Sequence, residues 1–94
     1  MADIKVREVE SDETGWVYDV LVREGGTESR HRVTLSRNDY ESLTAGDAGP
    51  EKLVESSFEF LLEREPKESI LSKFDLSVIS NYFPEFENRI KDYI

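Results

Sequence analysis

Residues 60–71 read FLLEREPKESIL. The run opens on Phe60-Leu61-Leu62, closes on Ile70-Leu71, and holds Glu63-Arg64-Glu65-Pro66 between them. Proline lacks an amide hydrogen and disfavours helical geometry at the residue before it, so a helix arriving here is expected to end near Arg64. Proline also suits the first position of a following helix. The charged quartet is then an exposed corner, and the apolar pairs on either side fold back onto one core. A break here gives several short helices in place of one long one.

Upstream of the corner, Pro50 suits the start of a helix. Leu53, Val54, Ser57, Phe58, Phe60, Leu61 and Leu62 cover a broad arc of its wheel. Glu51, Glu55, Glu59 and Glu63 form an i, i+4 row on the other side. Each like-charge step costs about 0.2–0.5 kcal/mol, whereas one buried Leu or Phe contributes about 1.5–3 kcal/mol. Burial wins, and the row is the solvated back of the helix. Arg64 falls inside the apolar arc. Its stem is expected to snorkel at the helix end, with its head paired to Glu68 or Asp75.

Downstream, Ile70, Leu71 and Phe74 predict a short third helix. Asp75 is placed to cap a fourth, with Phe74 and Ile79 at hydrophobic-staple spacing. Leu76, Ile79 and Phe83 share a face there. Pro84 ends that helix and opens a last one, where Phe86, Ile90, Tyr93 and Ile94 follow i, i+4, i+7, i+8. Nearer the N-terminus, Ser36 is a good N-cap with Asp39 at N3. Tyr40 and Leu43 lie on one side of the helix it starts, and TAGDAGP (44–50) stops it, with Gly46 as the C′ residue.

The first third alternates with period two. Ile4 and Val6 oppose Lys5 and Arg7. Trp16, Tyr18, Val20 and Val22 oppose Val17, Asp19, Leu21 and Arg23. His31, Val33 and Leu35 oppose Arg30, Arg32 and Thr34. These are strand patterns, and the short connections SDETG and EGGTE favour an antiparallel meander. One sheet face is expected to bury Trp16, Tyr18, Val20, Val33 and Leu35, and the other to stay wet. The fold class is α+β: one domain over residues 1–94, with three antiparallel strands in about 3–35 packed against four or five short helices in about 37–93.

Composition bounds the function. Ninety-four residues suit one domain, and 37% hydrophobic content with ten aromatics is too rich for a disordered chain. The absence of cysteine excludes disulfides, thiol catalysis and cysteine–zinc sites, and fits a cytoplasmic protein. Residues 1–15 hold no apolar stretch of signal-peptide length. No apolar run is long enough to span a membrane. The net charge of −9 comes from 21 acids against 12 bases and is spread over both halves of the chain. It is expected to serve solubility, the alternative being a docking surface for a basic partner. It also disfavours nucleic acid, whose phosphates need a cationic footprint.

Chemistry-bearing patterns are few. His31 is the only histidine, and on a strand beside Val33 it reads as a structural ring. Carboxylates abound, but no pair stands out as an acid–base couple. The glycines lack the spacing and lysine of a phosphate loop, and no calcium-loop pattern occurs. No cofactor and no metal site is expected. ILSKFDLSVISNYF (70–83) has rough helix-turn-helix proportions, but its second helix carries no Lys or Arg for phosphate contact.

SSFEFLLEREPKESILSKFDLSVISNYFPEFENRI (56–90), together with TLSRNDYESLT (34–44), resembles a family of short uncharacterised bacterial proteins. The resemblance covers most of the chain. It implies a small standalone domain and carries over no catalytic residue. The expected role is a cytosolic protein-interaction or regulatory module without catalysis. Its contact surface is expected around Arg64, Glu65, Tyr82 and Phe86, where charge sits beside aromatics. The alternatives are a helix-turn-helix DNA-binding regulator and a binder of a small anionic ligand at His31 or Arg64. Homodimerisation through a free sheet edge or the last helix is a further expectation.

Overall fold

The structure, a computed structural model, describes residues 2–94. Three antiparallel strands come first: β1 (Asp3–Ser11), β2 (Gly15–Glu24) and β3 (Thr27–Ser36). Tight connections join them, and Gly25 and Gly26 both take positive φ (64° and 81°) in the second. The alternation works as expected. Tyr18, Val20, Val22, Val33 and Leu35 are buried on one face, while Trp16 is only partly covered. β1 is an edge strand. A register shift between Glu8 and Glu10 marks a bulge that leaves Val9 exposed, one of the ways sheet edges are protected from pairing.

The period then changes. Helix α1 (Arg37–Thr44) is capped by the Ser36 hydroxyl, which accepts from the Asp39 amide. It ends on Ala45 in the left-handed region, with Gly46 following at φ 79°. Helix α2 (Pro50–Leu62) starts on its proline and lays its apolar arc across the buried sheet face. Leu53, Val54, Phe58 and Phe60 lose all exposure there.

At the charged corner α2 stops at Leu62, and the amides of Arg64 and Glu65 both donate to the Leu61 carbonyl (2.9 Å each). A single 3-10 turn follows at Lys67–Ser69, after Pro66 in extended geometry. The expected third helix does not form. Residues 73–75 instead make a short strand, β4 (Lys73–Asp75), which pairs parallel to β3 and gives a four-stranded sheet of order β1-β2-β3-β4. Hydrogen bonds explain the outcome. β3 presents an open row of backbone groups, and the Arg32 amide donates to the Ser72 carbonyl (2.7 Å) and the Leu76 amide to the Thr34 carbonyl (2.9 Å). The helix-turn-helix alternative loses its first helix in the same step.

Two short helices close the core, α3 (Val78–Tyr82) and α4 (Phe86–Arg89), followed by a 3-10 turn at Ile90–Asp92. Asp75 sits where β4 hands over to α3. Its carboxylate accepts from the Thr34 hydroxyl (2.6 Å) and from the amide and hydroxyl of Ser77 (3.1 and 2.6 Å). No helix among the described residues is long and apolar enough to cross a membrane.

Candidate functional site

The corner and the strand that follows it frame a groove of about 160 Å³. Leu61 at the end of α2 and Glu65 in the corner form one wall. Ile70, Leu71 and Phe74 cross its middle, and Val78, Tyr82 and Phe83 of the α3 segment form the other wall. Its walls are mostly apolar. Among the described residues, Leu71 (47% exposed) and Tyr82 (67%) are two of the three large hydrophobic side chains left open to solvent, and both line it.

Extended geometry produces this placement. In a helix, Ile70 and Leu71 would lie on adjoining parts of one face. In an extended segment their side chains diverge, so Ile70 is buried and Leu71 stands in the groove. The segment is pinned from below by His31. The Leu71 carbonyl can only accept, so His31 Nδ1 carries the hydrogen and donates to it (2.7 Å). His31 Nε2 is then the acceptor for the Ser29 hydroxyl (2.8 Å). The ring is buried and lies 5.3 Å from that of Phe58. His31 thus ties β3 to the middle of the groove.

Glu65 is the one charged residue among the described residues of the lining. It is half-buried, and burial pushes its carboxyl above the usual 4.5. Among the described residues no cation lies within ion-pair distance of it. A carboxylate beside apolar walls without a cation is complementary to a positively charged ligand.

The four residues expected to form a contact surface separate in space. Glu65 and Tyr82 meet in the groove. Arg64 turns the other way. Its guanidinium lies over the Phe60 ring (3.6 Å to the centroid), donates to the Phe60 carbonyl (3.0 Å), and reaches Glu85 (3.4 Å). The expected pairing to Glu68 or Asp75 is replaced, because Glu68 is taken by Lys67 (2.5 Å) and Asp75 by Thr34 and Ser77. Phe86 is fully buried and packs edge-on against Phe60 (5.1 Å between centroids), so it cannot contribute to a surface. Its i, i+4 spacing to the equally buried Ile90 was the signal for a core position. Leu71, Val78 and Phe83 were missing from the expected site because their convergence depends on β4.

Among the described residues no three His, Asp or Glu side chains converge in a metal-sized cluster. No protein-family model, no curated protein and no solved structure matches the chain.

Proposed function

We propose that this chain is a protein-interaction module of the cytosol that contributes no chemistry of its own. It holds a short segment of a partner protein in the groove between the 61–65 corner and α3. The occupant carries one large apolar side chain, which covers Leu71 and Tyr82, and a neighbouring Lys or Arg, which meets Glu65. The observation that carries this reading is the convergence, on one concavity, of two exposed hydrophobic side chains and one half-buried carboxylate that has no cation partner among the described residues. Exposed apolar area on a small acidic domain is a solubility liability, and a contact site is its simplest use.

Selection of a random peptide library on the immobilised protein tests this reading. Enriched peptides are expected to share a large apolar residue next to a base, and to lose at least tenfold in affinity against Leu71→Asp and Tyr82→Ala. Amide shifts on binding are expected at Glu65, Leu71, Val78 and Tyr82. Absence of such basic, apolar peptides from the selection, or shifts by those peptides confined to another face, would overturn it.

A further inference from the structure

The acids are spread along the chain, but the bases are not spread over the surface. Cross-strand register places Lys5 beside Leu21 and Arg30 in one row of the solvent face of the sheet. The next row holds Arg7, Asp19, Arg32 and Lys73. All five bases are exposed. These two rows carry five cations and one carboxylate, a strip of +4 on a chain of −9, flanked on the same face by Asp3 and Glu28 at one end and Glu10 and Asp75 at the other. They border a shallow basin of about 540 Å³.

Asp19 marks what this face prefers. Arg7 donates to one side of its carboxylate (2.9 Å) and Arg32 grips it through two nitrogens (2.9 and 3.2 Å). Those bonds, Arg32's first, hold its carboxyl below the usual range. Lys5 and Lys73 have no ion-pair partner among the described residues, and Arg30 has only a 3.4 Å contact to Glu28. Between Lys5 and Arg30, which lie about 10 Å apart across two strand spacings, the floor is the half-buried Leu21.

We infer that the outer face of the sheet, centred on Lys5, Leu21 and Arg30, is a second docking site, and that it takes a short acidic segment of a protein carrying an apolar side chain. Its carboxylates pair with Lys5 and Arg30 as Asp19 pairs with Arg7 and Arg32, and its apolar side chain covers Leu21. Two observations favour such a segment over nucleic acid. No aromatic side chain lies in these rows to stack a base. The rows span only about 14 Å across the strands, and a longer polyanion would run onto the acidic remainder of the surface.

The test is fluorescence anisotropy with a labelled (Glu-Leu-Glu)3 nonapeptide and with labelled single- and double-stranded oligonucleotides. The protein is used unaltered, as Lys5→Glu/Arg30→Glu, and as the charge-matched Lys52→Glu/Lys91→Glu, with circular dichroism confirming that each is folded. The expected result is saturable peptide binding that weakens at least tenfold from 50 to 300 mM salt. It is also expected to fall at least tenfold in the Lys5/Arg30 variant and less than threefold in the matched control. Absent peptide binding, equal loss in the two variants, or tighter binding of either oligonucleotide would overturn the inference. The Leu71→Asp variant is expected to retain peptide binding, which keeps this site distinct from the groove proposed above.

Discussion

Gly15 begins β2 with its backbone against β3: a Cβ built on it would lie 2.1 Å from the Leu35 carbonyl oxygen. Gly15→Ala must therefore push two paired strands apart, and urea denaturation is expected to show a loss of about 1–3 kcal/mol. Ala45 poses the converse case. It is the one described non-glycine residue at positive φ (51°), on the exposed end of α1. Ala45→Gly is expected to raise stability by about 0.5–1 kcal/mol in the same measurement, since a left-handed residue with a Cβ is strained. Glu65 carries a different signature. Its carboxyl sits above its ordinary 4.5 because burial penalises the charge, so near pH 7 the ionised group opposes folding. Glu65→Gln is expected to raise the melting midpoint at pH 7 while weakening basic peptides in the groove, and a lowered midpoint would contradict this account of its burial. Of these positions, the sequence alone pointed only to Glu65. Glycine in SDETG reads as a turn residue, and its close approach to Leu35 becomes visible only once β2 and β3 are in register. Gly46 was readable as the helix stop, but the left-handed turn already begins one residue earlier.

Among the elements, β4 is the least legible and the most consequential. Three residues cannot display a period, and Ile70, Leu71 and Phe74 fit a helical stripe equally well. The deciding partner, the open edge of β3, lies some forty positions away. β1, β2 and β3 were readable because each is nine or ten residues long and alternates cleanly. Helix α2 was readable because thirteen residues display a full apolar arc and a proline start. The junction after β4 makes a pH prediction. Burial opposes the charge on Asp75, but hydrogen bonds from Ser77 and Thr34 outweigh it and hold the carboxyl below its ordinary 3.8. A depressed folded value contributes stability that is fully present above 3.8 and is lost as pH falls through the lower folded value. Asp75→Asn is therefore expected to be less stable than the unaltered protein at neutral pH, by about 0.5–1.5 kcal/mol after solvent screening. The gap is expected to narrow below pH 3.8. A gap that stays constant down to pH 2 would show that the carboxylate charge is not what holds this junction.

At the scale of the molecule, one sheet separates two surfaces of different chemistry. Its inner face and the helices make the core, whose margin at the corner leaves an apolar groove with one carboxylate. Its outer face gathers cations that a net charge of −9 conceals. Strand alternation already set Lys5 and Arg7 against Ile4 and Val6, and Arg30 and Arg32 against Val33. Their assembly into one patch needed the cross-strand register, and Lys73 needed β4. Residues 71–73 belong to both surfaces: Leu71 stands in the groove, Ser72 borders the basin, and Lys73 extends the cationic row. Both surfaces therefore depend on the extended path of residues 70–75 along β3. Nuclear Overhauser contacts in the labelled protein measure that path directly. Cross-strand contacts linking Arg32, Val33 and Thr34 to Lys73, Phe74 and Asp75 in parallel register are predicted, with slow exchange of the Arg32 and Leu76 amides. A ladder of i, i+3 helical contacts through 67–75, with no contact to β3, would contradict it.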